Sequence, residues 1–353
     1  MTRALILGAG LAGLVAAYRL HQSGQAVSVL EARNRVGGRA LSVVQGAGGI
    51  DLGPAWIWPA MQPQVVALLA EMGLDTLPQF ENGDFIYEAG GQIQRGAFPK
   101  RYSDAARVRG GVQALAQALF EALPADTVRF GQEVCGVNLT DTPQVTTTDG
   151  AVWKADVVIC AVPGPIAAAW DVVPAWPTEV ATALTCWPTW MAAHAKVVAF
   201  YDQPFWRDAG LSGGAVSHIG PLVEIADQSD PDKAVFGLFG FVGVPFEGRQ
   251  DTAALKAAAL AQLVRLFGAQ AQTPTALHLM DWGQEPFTAT PADRVAPAGH
   301  PPYGAPELSR PVEGQFIFAG AEVSARNGGL IEGAIETGTQ AAAFAVKAMA
   351  AKV

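Results

Sequence analysis

The chain has 353 residues, a net charge of −9 at neutral pH and three cysteines. That length suffices for one large domain or two intertwined ones, and the negative balance argues against nucleic acid or an anionic membrane as partner. Half of the residues are hydrophobic, yet no run reaches the roughly 18 apolar residues of a spanning helix. The N-terminus lacks a basic region followed by an apolar stretch and a cleavage site. The C-terminal "AAAFAVKAMAAKV" is short and carries Lys347 and Lys352. Neither a secretory signal nor a membrane anchor is expected. Cys135, Cys160 and Cys186 lie far apart in the chain. They read as buried thiols of a cytoplasmic protein, with no disulfide framework and no metal-ligand spacing.

In chain order, "ALILGAG" from Ala4 is a near-continuous apolar strand, as expected where both sheet faces are covered. A helix follows over Leu11 to Gln22 and stops at Gly24. The strand "AVSVLEA" then closes a βαβ unit. Gln64 to Met72 is a helix. "FENGDFIYEAGGQIQ", Phe80 to Gln94, reads as a hairpin turning at Asn82-Gly83, with a second turn at Gly90-Gly91. "GGVQALAQALFEAL" is a helix, and "TVRFGQEVCGVNLT" and "QVTTTDGAVWKADVVICAV" are strands. "AHAKVVAFYDQPFW" is a strand running into a turn. Thr252 to Phe267 has the apolar spacing of an amphipathic helix. The chain closes with the strand "GQFIFAG" and a helix from about Leu330 to Ala350. Nucleotide-type strand–turn motifs thus occur at both ends, with hairpins and tryptophans between. This predicts an α/β fold in which a discontinuous Rossmann-type domain (residues 1–75, 109–180 and 286–353) holds an inserted α+β substrate domain (76–108 and 181–285).

The chemistry starts at Gly8, Gly10 and Gly13, a G-x-G-x-x-G spacing joining strand to helix, with Ala12 inside it. Backbone N–H groups and the helix dipole there face a pyrophosphate. Glu31 ends the second strand 18 residues after Gly13, where an acid accepts both ribose hydroxyls and an arginine would have suited a 2′-phosphate. NADP is therefore disfavoured. "LEARNRVGGRA", which includes Ala32 and Arg33, decides between FAD and NAD. Gly37-Gly38 followed by Arg39 offers a second backbone approach to the diphosphate with a cation beside it, an element that a plain NAD unit does not need.

With that stretch the chain resembles the flavin-containing amine oxidase family, the monoamine oxidase-like FAD enzymes, which commonly carry Asp where this chain has Asn34. Further matches follow in the family's order. "GGIDLGPAWIWP", with Gly53, Pro54, Ala55 and Trp56, resembles the Gly-rich segment passing the flavin, and Val134 the position whose backbone meets the adenine. "ADVVICAVP" resembles the strand and loop returning beneath the cofactor. Lys196, in "HAKVVAF", falls on the active-site lysine that binds a water next to flavin N5 and assists oxygen chemistry; an apolar strand is an unusual place for a solvated lysine. Trp282, in "DWGQEPF", falls on the tryptophan beside the isoalloxazine. "FAGAEVSARNGGLIEGAIETG" resembles the C-terminal flavin signature, implying contacts from Gly320, Glu322, Gly329, Leu330, Ile331 and Ala334. Its helix would aim its N-terminus at the flavin pyrimidine ring, favouring the anion formed there on reduction. Glu332 and Glu336 in its early turns suit that dipole.

Three departures narrow the expectation. The family's substrate-flanking aromatic positions fall on Leu330 and near Ala292, neither aromatic, so Trp56 and Tyr303 are the candidate replacements. His194 shares Lys196's face by the period of two. No cysteine follows Cys186, so FAD is expected to be noncovalent. The stretch between "AWIWP" and "VRGGVQAL" is short, so the pocket should be more open, or capped by the hairpin or by a second subunit of a homodimer. The resemblance implies an FAD-dependent oxidase that passes hydride from an amine α-carbon to N5, with O2 as reoxidant, giving H2O2 and a carbonyl. Alternatives are a desaturase or dehydrogenase of an isoprenoid or ring C–C bond, which the missing aromatics favour, and a flavin-binding scaffold without turnover.

Overall fold

The computed structural model describes residues 2–186, 189–297 and 299–351. Five strands form a parallel core: Phe316–Phe318, Val152–Cys160, Thr2–Leu7, Val27–Glu31 and Val128–Phe130. Gln144–Thr147, Val134–Asn138 and Asp171–Val173 extend the sheet beyond Val152–Cys160. The apolar run "ALIL" is fully buried because it lies between neighbours in the sheet and is covered on both faces. On one face Ala4 and Ile6 meet the helices Leu11–Gln22 and Ile331–Ala350. On the other, Leu5 and Leu7 meet Val158, Leu184 and Phe316. The two long helices pack tightly: a Cβ at Gly338 would lie 2.4 Å from the Ala12 carbonyl oxygen. The first and last segments of the chain therefore complete one layer.

The second sheet has seven strands, in the order Ala276–Asp281, Ala195–Tyr201, Phe236–Val242, Leu222–Asp227, Leu211–Ser217, Asp84–Ala89 and Gln92–Gly96. The predicted helix Thr252–Phe267 covers one face, started by Asp251, whose side chain accepts from the Ala254 N–H. Every residue of Ala195–Tyr201 is buried, and alternation divides them. Ala195, Val197, Ala199 and Tyr201 face the Thr252–Phe267 helix, while Val198 and Phe200 turn toward Ile50, Trp56 and Phe239. Lys196 has the same parity as Val198 and Phe200. It therefore points between the sheets.

Several local expectations change. The hairpin in 80–96 turns at Gly90-Gly91, between Asp84–Ala89 and Gln92–Gly96. Asn82-Gly83 is no hairpin turn; Gly83 leads into the strand, where a Cβ would lie 2.6 Å from the Gly210 carbonyl oxygen. "TVRFGQEVCGVNLT" forms two strands in different parts of the sheet, and "QVTTTDGAVWKADVVICAV" is a hairpin. Of the three cysteines only Cys160 is buried; Cys135 is half-buried and Cys186 exposed. Among the described residues no helix is long and apolar enough to cross a membrane, and no His/Cys/Asp/Glu group could hold a metal.

Candidate active site

One cavity of about 660 Å³ runs from the glycine turn of the first sheet to Lys196 of the second. At its nucleotide end the two glycine segments touch. The Gly37 N–H donates to the Ala9 carbonyl at 2.8 Å, and a Cβ at Gly38 would stand 3.1 Å from Gly10 Cα. Gly13 is required by packing, since a Cβ there would lie 2.0 Å from the Gly8 carbonyl oxygen. Gly10 is different. Its φ is an ordinary −71° and no protein atom lies within 4 Å of where its Cβ would be. Its bareness leaves room on the cavity side for a ligand to approach the backbone.

Two helix N-termini open onto the same cavity, that of Leu11–Gln22 with Gly10 as cap and that of Ile331–Ala350 with Leu330 as cap. Neither cap residue supplies a side-chain hydrogen bond, so both ends remain open to an anion or a ligand dipole. The Glu31 carboxylate, 3% exposed, is pinned by the Ala9 N–H at 2.7 Å and the Arg33 N–H at 2.9 Å. Arg39 and Glu322 form a bidentate pair with contacts of 2.5 and 2.8 Å. Burial alone would raise the Glu322 carboxyl, but the Arg39 guanidinium overrides it and holds the acid below its usual range. The same pair grips Trp190, whose N–H donates to Glu322 at 2.9 Å and whose carbonyl accepts from Arg39 at 3.2 Å.

At the other end two consecutive carbonyls organise the site. The Leu52 carbonyl accepts from Trp282 Nε1 at 2.9 Å, and the Gly53 carbonyl accepts from Lys196 Nζ. The ammonium also faces the rings of Phe241 and Phe239, at 5.0 and 5.7 Å from their centroids. Burial drives Lys196 down to about 8, opposed by the Asp51 carboxylate. Asp51 lies one residue before this pair of carbonyls. It accepts from Ser42 Oγ at 2.6 Å and the Val112 N–H at 2.8 Å, and burial raises its carboxyl to about 6.

The profile of the family described as flavin containing amine oxidoreductase matches residues 11–108 and 93–345. The chain belongs to this family. The flavin amine oxidoreductase is therefore an enzyme with a flavin cofactor, acting on small-molecule amines. It is 26% identical over 444 aligned positions to AofH of Mycobacterium tuberculosis, provisionally named a flavin-containing monoamine oxidase, covering 96% of this chain and 95% of that one. It is 25% identical to an L-amino acid dehydrogenase of Synechocystis, covering 96% and 93%. The alignments are longer than this chain, so both relatives carry segments that it lacks. In fold it is similar to putrescine oxidase bound to putrescine, with a TM-score of 0.81, 23% identity, and 98% and 99% of the two chains covered.

Within the flavin amine oxidoreductase, most residues singled out from sequence line this one cavity. They are Gly8, Gly10, Ala12, Glu31, Ala32, Arg33, Gly37, Gly38, Arg39, Gly53, Pro54, Ala55, Trp56, Val134, Lys196, Trp282, Gly320, Glu322, Gly329, Leu330, Ile331 and Ala334. Gly13 lies beneath the turn, while His194 and Tyr303 are not part of the wall. His194, one residue before the strand, keeps to Lys196's side, since its ring meets Phe241, the register partner of Lys196, but it does not reach the cavity. Its ring meets Phe241 edge-on at 6.4 Å, and burial lowers its basicity, with Lys196 and Arg249 adding to this. Tyr303 packs behind Trp190, against His300 at 5.4 Å and beside Gly328. The 84–96 hairpin contributes nothing to the wall. Trp190 and Met191 line it, together with Phe287 and Thr288. Glu332 does not serve only its own helix: its oxygens accept from the Gln64 and Val65 N–H groups of the neighbouring Pro63–Glu71 helix. Sequence reading did not single out Trp190, Phe241 or Asp51. Phe241 follows from strand pairing, being the register partner of Lys196, and no local signal marks Trp190.

Proposed function

We propose that this enzyme oxidises an amine bound in its neutral form, using noncovalent FAD with O2 as acceptor. The observation that carries the reading is Lys196: a lysine on a wholly buried strand, beside Trp282, at the end of a cavity whose other end is a dinucleotide cradle. When bound, FAD supplies a hydride acceptor at N5 and returns to its oxidised form with O2, which becomes H2O2. The imine product reacts with water to give a carbonyl and ammonia, so each turnover consumes one amine, one O2 and one water.

The residues present fit that group. Gly10, Glu31 and the two uncapped helix ends would hold its diphosphate, ribose and pyrimidine portions, and Arg39 with Glu322 would flank the diphosphate. The only cysteine lining the cavity among the described residues is Cys135, next to Val134, so no thiol stands at the Lys196 end to form a thioether. Lys196 is held on Gly53, where its Nζ can hold a water and stabilise charge developing during oxygen reduction. With burial lowering its proton affinity, it also places little positive charge against an approaching amine as pH rises through about 8. Phe241 and Trp56 exclude bulk water.

The test has two parts. Acid precipitation should leave the flavin in the supernatant. Anaerobic mixing with a panel of amines should bleach the bound flavin. Flavin that stays oxidised with every amine of the panel would overturn the reading.

A further inference from the structure

We infer that the substrate is an apolar monoamine carrying a ring or a bulky hydrocarbon group, and not a diamine, a polyamine or an α-amino acid. The inference rests on the amine reading above. The charges on the cavity wall carry it.

At the Lys196 end the wall carries Phe241, Trp56 and Trp282, and Trp58, Trp190 and Leu330 add apolar surface elsewhere on it. Among the described residues, the carboxylates that line the cavity are Glu31, Glu133 and Glu322. Glu31 is pinned by the Ala9 and Arg33 amides. Glu322 is spent on Arg39 and the Trp190 N–H. Glu133 is exposed and follows Gln132, whose N–H donates to the Glu31 carbonyl at 2.9 Å, so it belongs to the nucleotide end. The acids behind the aromatic wall, Asp51 and Asp227 buried and Glu224 half-buried, are also engaged. Asp51 is held by Ser42 and Val112, Glu224 by Tyr102 and Arg101, and Asp227 by Trp206 and Arg207.

A second ammonium would therefore lose its water without meeting a carboxylate, and it would do so beside Lys196. Cation–π attraction to the indoles offsets only part of that desolvation. Among the described residues of the wall, a substrate carboxylate meets no free cation either. Arg39 is held by Glu322 on both terminal nitrogens, and Arg33 spends its terminal nitrogens on Glu31, Glu285 and Thr288, leaving one unpartnered donor, Nε, so neither guanidinium offers two free donors for a fork. Lys196 is already turned to the Gly53 carbonyl and the Phe241 ring. What the wall offers instead is flat apolar surface, fixed in place. Trp56 stacks on Tyr102 at 4.3 Å and 7°, and its Nε1 donates to Gln79 at 2.8 Å. Rigid aromatic area of this kind favours a hydrocarbon ring or branch.

The experiment compares reductive rates of the FAD-loaded enzyme for pairs that differ by one charge. 1-Pentylamine should exceed 1,4-diaminobutane at least 100-fold in rate over apparent Kd, and mono-N-acetylation of the diamine should recover most of the loss. 2-Phenylethylamine should exceed L-phenylalanine by a similar factor. Leu330→Glu should narrow the pentylamine-to-diaminobutane ratio at least tenfold by supplying the missing counter-charge. A diamine or amino acid equal to or better than its uncharged partner overturns the inference while leaving amine oxidation intact. Failure of every amine to bleach the flavin overturns the amine reading, and this inference with it.

Discussion

Glu332 is the carboxylate whose loss should be felt furthest from its own position. It is 1% exposed, in the first turn of the Ile331–Ala350 helix, and its oxygens lie 3.0 and 2.9 Å from the Gln64 and Val65 nitrogens. The receiving helix begins at Pro63, which has no N–H, and has no side-chain cap of its own. These two amides are therefore its first orphan donors. Hydrogen bonds to a charged acceptor contribute about 1.5–3 kcal/mol each. Because the two share one desolvated carboxylate, the joint contribution should be about 3–4 kcal/mol. Glu332→Ala removes both bonds and should lower unfolding free energy by that amount. Glu332→Gln keeps one acceptor and should cost about 1–2 kcal/mol. Urea unfolding of the flavin-loaded protein measures the difference. Leu330, Ile331 and Ala334 of the same helix line the cavity, so the alanine variant should also bind FAD at least tenfold more weakly, read by quenching of flavin fluorescence. An alanine variant that loses less than about 1 kcal/mol and keeps its flavin affinity would refute the clamp.

Lys196→Met should leave amine-driven bleaching of the flavin largely intact and slow its reoxidation by O2 at least tenfold in stopped flow; equal slowing of both half-reactions would contradict the assigned role. Asp51→Asn should move the pH midpoint of reoxidation downward from about 8. Burial already lowers Lys196 and the Asp51 carboxylate opposes it, so removing that charge removes an opposing influence. His194, Arg249 and Asp281 are other ionisable groups nearby, and Arg107, which also faces the Asp51 carboxylate, stays charged in the variant. An unmoved midpoint would show that the carboxylate acts only through its bonds to Ser42 and Val112. Glu322→Ala should release Arg39 and the Trp190 N–H together, weakening FAD binding about tenfold or more by equilibrium dialysis; affinity within twofold of wild type would place the pair outside the cofactor site.

Much of the nucleotide end was legible because its signals are local. A glycine turn, an acid ending the next strand and a glycine at a helix start each depend on backbone geometry within a few residues. Thr252–Phe267 was legible for the same reason, since its apolar period and its Asp251 cap are contained in one stretch. Alternation carries His194 to Lys196's side, against Phe241, but Phe241 and its neighbours, not His194, form the wall there. Asn82-Gly83 carries good turn chemistry, yet the hairpin turns at Gly90-Gly91 because the pairing partner of Asp84–Ala89 on that side is Gln92–Gly96. Tyr303 and Trp56 looked equivalent as aromatic candidates. Only packing against Gly328 and His300 places one behind the wall while the other lines it.

Local sequence is enough to specify a dinucleotide cradle closed from both chain ends and a lysine in an apolar strand. Those properties reside in short segments whose backbone needs are fixed by glycine, proline and periodicity. Tertiary structure alone decided what Lys196 meets, because Gly53, Phe241 and Trp282 reach it from three separate parts of the chain. It also decided the charge balance of the wall. Whether Glu322, Arg39 and Asp51 are open to a ligand depends on partners distant in sequence, and pairing of that kind leaves no mark on local spacing.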